Sequence, residues 1–201
     1  MQLISSQASP FVRKVHVVLH ETGQSQDIEV IEAGTTPINT PDHVRAANPT
    51  GKIPALIRPD GPALHDSRVI TRFLDARAKS GLYPEARIWE MLTLESMADA
   101  IMDAAVLITY EGRVRPEEQQ SDVWKEAQWG KIRAALDVIN ARWMSHLSGP
   151  LDMGQIAVAC ALAYVDFRHP DRDWRTGNEA LAKWFAEFES RDSMQATIPP
   201  A

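Results

Sequence analysis

Apolar residues change their period repeatedly over the first eighty positions of the chain and then settle into one. Gln2 to Ser6 is a short run centred on Leu3 and Ile4, the mark of a strand entering a loop. Val15, Val18, Leu19 and Thr22 follow at i, i+3, i+4 and i+7, which predicts a helix starting at Ser9-Pro10 and stopped by Gly23. Asp27 to Ile31 alternates and reads as a second strand. A loop with a short helix over Pro41 to Ala47 comes next. Strands at Ala55 to Arg58 and Ala63 to His65 flank the Asp60-Gly61-Pro62 turn, and a helix begins at Ser67 and ends near residue 80. The predicted order is βαβαββα. A helix between the first two strands makes that pair parallel, and the tight turn makes the last pair antiparallel, so a mixed four-stranded sheet is expected.

A change of composition at Gly81-Leu82-Tyr83-Pro84-Glu85 separates this α/β half from one in which only helical periodicity remains. Helices are predicted over Arg87 to Tyr110, Pro116 to Leu147 and Asn178 to Ser190, with Ser148-Gly149-Pro150 as a break. Between them, Ile156 to Val165 is almost wholly apolar, the pattern of a helix buried on all sides. Its start carries Asp152 as a cap, Gln155 spaced to reach back to the Asp152 N–H, and Leu151 spaced to pack on Ile156. The tail from Ala196 to Ala201 reads as irregular. Two domains are expected, residues 1–80 and 86–201.

Composition adds exclusions. With 201 residues and 44% hydrophobic content the chain has ample material for buried cores. Nine Lys/Arg against eight Asp/Glu leave residues 1–80 near neutral, whereas twelve against nineteen make the remainder acidic, for a net charge of −6. No basic stripe with interleaved aromatics occurs, so no nucleic-acid partner is expected. A single cysteine, Cys160, excludes an internal disulfide, and neither a membrane-length apolar run nor a leader pattern is visible, which points to the cytoplasm and to no membrane partner.

Chemistry concentrates in the first half. Asn48-Pro49-Thr50-Gly51-Lys52-Ile53-Pro54 excludes helix and interrupts a strand ladder, because proline lacks an N–H and glycine costs backbone entropy. A chain entering a strand through Ile53-Pro54 leaves the Ile53 amide free to pair with an extended peptide. Asp66-Ser67 stands at a helix start, where unsatisfied N–H groups attract anions and where simple capping is the competing role. A small peptide with an amine, a carboxylate and one extended residue suits these parts, and glutathione is such a peptide. Ser9 is a second hydroxyl at a helix start, able to cap the helix or to donate to a ligand thiolate, with Ser5 and Ser6 as rivals. Elsewhere the bland readings prevail. Cys160 lies in an apolar mid-helix run, His16 and His20 share a face without a third metal ligand, so no metal is expected, and Asp99 and Asp103 read as a solvated or interface face. The tryptophans read as core and domain-contact residues.

The Ser9-Pro10-Phe11 start, Ile53-Pro54, Asp66-Ser67 and the staple at the buried helix together resemble the glutathione transferase family, over essentially the whole chain. The Ser-Pro-Phe-Val-Arg-Lys start is most similar to bacterial cytosolic members. The resemblance implies a thioredoxin-like domain followed by an all-α domain, and a cis peptide before Pro54. It implies that Ile53 holds the cysteinyl backbone of glutathione, that Asp66 and Ser67 hold its γ-glutamyl end, that Lys52 lies near its glycyl carboxylate and that Phe11 flanks the site. Ser9 would stabilise the thiolate for attack on a small hydrophobic electrophile in a homodimeric enzyme of detoxification. Related reductases carry cysteine where Ser9 stands, so an enzyme-thiol mechanism is disfavoured. A non-catalytic interaction protein of the same fold and a glutathione-dependent peroxidase or reductase are the alternatives. Where the family has Ser or Thr at the cap and Asp three residues on, this chain has Asp152 and Gln155, a change expected to affect folding and not function.

Overall fold

The structure, a computed structural model, describes residues 1–200 and divides into two compact units. The first comprises Met1–Tyr83 together with the C-terminal residues from Asp192 onward, and the second comprises Pro84–Arg191.

In the first unit β1 (Gln2–Ser5), α1 (Pro10–Glu21), β2 (Glu29–Glu32), α2 (Asp42–Ala47), β3 (Ala55–Ile57) and α3 (Ser67–Ala78) follow in order. The sheet order is β2-β1-β3, with β1 parallel to β2 and antiparallel to β3. Both pairings follow from the connections: α1 carries the chain over to a parallel neighbour, and a central strand so placed buries Leu3 and Ile4 completely. Ile4, Ala33, Val44, Ala47 and Ala55 form one core cluster, against which the partly buried Ile53 and Ala63 pack. The expected fourth strand at Ala63 to His65 is reduced to a single antiparallel bridge, in which Leu56 and Leu64 exchange both backbone bonds at 2.8 and 2.9 Å. Pro62 on one side and the Asp66 cap on the other leave room for only that pair.

The second unit is helical: α4 (Ile88–Val114), α5 (Asp122–Arg142), α6 (Met144–Leu147), α7 (Met153–Arg168) and α8 (Glu179–Glu189). The helix expected over Pro116 to Leu147 starts later and is interrupted. Pro116 leads into a single 3-10 turn, Ser121 then caps α5 by accepting the Trp124 N–H at 3.2 Å, and the chain leaves helical geometry at Trp143 before α6. α7 is buried along Met153–Val165 and packs beside α4; the two run parallel, since Gly154 at the start of α7 meets Leu94 and His169 at its end meets Ala105, further along α4. A Cβ on Gly154 would come within 3.1 Å of Leu94, so glycine sets how closely the helices approach. Cys160 is among the fully buried residues of this helix. Trp89, by contrast with the expected burial of the tryptophans, is 76% exposed.

Asp152, completely buried, holds the start of α7. Its Oδ1 accepts the Gln155 N–H at 3.2 Å, while Oδ2 lies 2.8 Å from His146 Nε2 and 3.3 Å from Arg87 Nη2. The Gln155 side chain does not return to the Asp152 N–H. Its Nε2 donates instead to the carbonyls of His146, Gly149 and Pro150 at 3.1–3.2 Å, because the turn before the helix directs all three oxygens toward it. Asp152→Ala should therefore cost more than an ordinary cap, about 2–4 kcal/mol, since it also strips a carboxylate from Arg87 and His146. Asp152→Asn, which can still cap, should cost less, and urea unfolding followed by tryptophan fluorescence measures both.

α9 (Asp192–Gln195) returns the chain to the first unit, so the region expected as one helical domain to residue 201 ends earlier, at Arg191. In the second unit His169 is buried, with Nε2 3.0 Å from the Ala105 carbonyl. Desolvation holds its imidazole below the ordinary range, outweighing the pull of the Ala105 carbonyl and Asp171. A folded-state pKa below the unfolded one means that this group costs nothing above the unfolded pKa and destabilises as pH falls through it. Wild-type stability should decline between about pH 7 and 5 relative to His169→Gln, a difference read from thermal melts across that range.

Candidate functional site

The register of β1 against β3 assembles the candidate site. Ile4 pairs with Ala55, so the end of β1 that leads to Ser9 lies beside the start of β3, immediately after Ile53-Pro54. Leu56 bridges Leu64 antiparallel, so the chain running on from Leu64 toward Asp66 heads for the same end of β3 as Ile53-Pro54. Three segments far apart in sequence therefore meet at one end of the sheet.

Ser9 caps α1 with extended backbone and Pro10 follows as the first helical residue. Its Oγ accepts the Val12 N–H at 3.4 Å, a long bond, and a hydroxyl that accepts there still has its own proton to donate. Ser9 is half-buried, as is Phe11 one residue into the helix. Ser5 is completely buried and its hydroxyl lies 3.1 Å from His16 Nε2, which removes it as a rival. Ser6 is half-buried, and its carbonyl accepts the Ser9 N–H at 2.9 Å.

The Ile53-Pro54 peptide is cis. The Ile53 side chain packs toward the core while its N–H makes no hydrogen bond within the fold among the described residues. Asn48, which sequence reasoning assigned no separate role, builds the loop that presents it. Its Nδ2 donates to the Lys52 carbonyl at 2.8 Å, and its Oδ1 accepts from the Thr50 N–H at 3.0 Å and the Thr50 hydroxyl at 2.8 Å. An Asn-Pro-Thr-Gly turn in which the side chain mimics a backbone turn was the available signal. Gly51 has φ +72°, a backbone conformation that favours glycine, and a Cβ there would stand a tight 3.1 Å from the Thr40 side chain. Lys52 is exposed.

Asp66 caps α3, its Oδ1 accepting the Arg68 N–H at 2.8 Å and its Oδ2 lying 3.4 Å from Arg68 Nη2. Partial burial pushes the carboxyl up, but the Arg68 N–H, the Arg68 guanidinium and the Lys14 ammonium together hold it below the usual range, so it is ionised at neutral pH. Lys14 is completely buried on α1, a cation that the sequence pattern alone does not place. Ser67 is buried at the first position of α3.

Other candidates stand apart from this cluster. No group of three His, Cys, Asp or Glu side chains among the described residues is arranged to hold a metal. His20 is exposed, whereas His16 is partly buried and lies below its ordinary pKa through desolvation and the charge of His20. Asp99 is buried and Asp103 exposed on α4. Tyr110 on the same helix is held above the ordinary phenol range by desolvation and by Tyr164, against the opposing charges of Arg113 and Arg168. No helix of the described residues is long and apolar enough to cross a membrane.

Comparison with known proteins decides the family. Residues 8–77 match the model of the glutathione S-transferase N-terminal domain, and residues 122–187 match that of the C-terminal domain. A glutathione transferase family member from Pseudomonas fluorescens Pf-5, solved with bound glutathione, is 43% identical, with a TM-score of 0.97 over 100% of this chain and 99% of that one. The chain belongs to the glutathione S-transferase family. A glutathione S-transferase from Methylobacillus flagellatus KT, solved with glutathione, is 34% identical with a TM-score of 0.84, covering 99% of each chain. The uncharacterized GST-like protein YibF of Escherichia coli K12 is 30% identical, over 100% of this chain and 99% of its own. The N-terminal family match spans every candidate from Ser9 to Ser67.

Within that frame Asn48 is the side chain on which the shape of the loop depends. Asn48→Ala should cost about 1–3 kcal/mol of stability, because the Lys52 carbonyl and the Thr50 N–H lose their partners. Calorimetric melting of the wild type and the variant reads that loss.

Proposed function

We propose that this chain is a glutathione transferase that binds glutathione across the end of its small sheet and activates the thiol for attack on a hydrophobic electrophile. What carries the reading is the register that sets the Ser9 cap, the Ile53 amide and the Asp66-Ser67 helix start at one sheet end. In this reading Ile53 pairs with the cysteinyl backbone through its N–H. The ionised Asp66 takes the γ-glutamyl amine and the N–H groups and hydroxyl at Ser67 take its carboxylate. Lys52 faces the glycyl carboxylate from solvent, and Phe11 flanks the sulfur.

Ser9 is the catalytic residue of this proposal. Its hydroxyl donates to the sulfur, and the positive end of α1 adds to the stabilisation of negative charge there. More thiolate at neutral pH means faster attack. The sulfur lone pair forms the new S–C bond, the electrophile's leaving group or acceptor carbon takes the electron pair, and the thiol proton has already gone to solvent. The serine gains no covalent bond. The Pseudomonas fluorescens relative has also been solved with S-(propanoic acid)-glutathione, a thioether in which the sulfur carries carbon, and this favours conjugation over redox turnover. Burial of Cys160 inside α7 points the same way, since that sulfur is withheld from exchange with glutathione. A homodimer and a cytoplasmic setting complete the proposal.

Ser9→Ala should raise the thiol pKa of bound glutathione by about one unit, equivalent to about 1.4 kcal/mol, while affinity stays within a few-fold. Ultraviolet thiolate titration of the complex reads the shift, and an identical titration in both proteins rejects the role of Ser9. Asp66→Ala should show the opposite division in the same experiment, with affinity reduced about tenfold or more and the thiol pKa little changed.

A further inference from the structure

The C-terminal segment is bonded into the first unit along the helix that Ser9 begins. Arg13, in the first turns of α1, is only 5% exposed. Its Nη2 donates to the Met194 carbonyl at 3.0 Å and its Nε to the Thr197 hydroxyl at 3.3 Å, across more than 180 residues of sequence. At the other end of the same helix the Ser193 hydroxyl donates to Glu21. Ser193 and Met194 are buried, and the Thr197 hydroxyl is turned back onto the Ser193 carbonyl at 2.8 Å. The segment is thus fastened to both ends of α1 by polar bonds, two of them from a guanidinium, whose hydrogen bonds are stronger than those of neutral donors.

The consequence runs to Ser9 through the backbone. The Arg13 N–H donates to the Ser9 carbonyl at 3.0 Å, and the Val12 N–H donates to the Ser9 hydroxyl. First turns of helices fray, because their amides lack the partners that interior ones have. A guanidinium anchored four residues after the cap resists that fraying where a hydroxyl has to be held still. An anion-stabilising donor contributes most when its direction is set before the charge forms.

We propose that Arg13 and the segment Ser193–Thr197 form a strap that positions Ser9, so that the sulfur-activating geometry at the start of the chain depends on residues at its end. Arg13 is a positioning residue in this account and touches no ligand. The proposal rests on the reading of Ser9 given above.

The test uses the full chain in two variants, Arg13→Gln and the double substitution Ser193→Ala with Thr197→Val, beside Ser9→Ala. Thiolate titration of bound glutathione should show both strap variants with about two- to five-fold less thiolate at neutral pH than wild type. Hydrogen exchange should show the Val12 and Arg13 amides opening faster, with the amides of α7 unchanged as a control against general loosening. Faster exchange with an unmoved thiol pKa, when Ser9→Ala does move it, overturns the positioning role. Unchanged exchange at Val12 and Arg13 overturns the strap itself. Should Ser9→Ala leave the thiol pKa where it is, the reading of Ser9 fails separately, and faster exchange in the strap variants still upholds the segment as what holds the first turn of α1.

Discussion

Pairing of β1 with β3 is the constraint on which the first unit depends. β1 is buried between two neighbours and ends where the chain turns toward Ser9, so whatever pairs with its last residues is delivered to the start of α1. A slip of one residue would move Leu3 and Ile4 each to the opposite face of the sheet, against packing shaped for the other, and bring a different backbone amide to that end of the sheet. Burial of Leu3, Ile4, Ala55 and Leu56 therefore sets the register, and the register sets the site. Position is obtained from packing, and the polar groups at the site need only be placed on a frame that apolar side chains have already fixed.

The helical unit solves a different problem. A helix buried on every side cannot satisfy its first turn with water, and α7 does so with a carboxylate inside the protein. Asp152 meets the α7 amide, an imidazole and a guanidinium at once, so its charge is compensated on three sides. Gln155 then secures the turn that brings these groups together. Cap and turn form one hydrogen-bonded structure.

Much of this was legible in the chain, for reasons that differ by element. Periodicity located the helices, because faces that pack must be apolar at fixed intervals, and the order of strands and helices gave the mixed sheet. The strand expected at Ala63 to His65 is present as one antiparallel pair, because a ladder needs length as well as pattern, and Pro62 and Asp66 leave room for no more. The return of Gln155 to its cap was misjudged for a related reason. Spacing shows which groups a side chain can reach, whereas the three carbonyls that claim it belong to a turn whose path the sequence does not display. Asn48 and Lys14 were passed over because an asparagine in a loop and a lysine in a helix are ordinarily solvated, and only packing reveals that these two are buried. Arg13 is the extreme case, since no local pattern links it to residues at the far end of the chain.

That last connection bears on how the molecule is made. Domains generally fold as they leave the ribosome, N-terminal first. Here the N-terminal unit emerges first yet lacks part of its own packing until Met194 and Thr197 have been made, because they close the surface around Arg13. The helical unit, synthesised in between, has all of its elements available earlier. The first unit to begin folding is thus completed only after the helical unit has been synthesised, when the segment around Met194 reaches the helix that starts with Ser9.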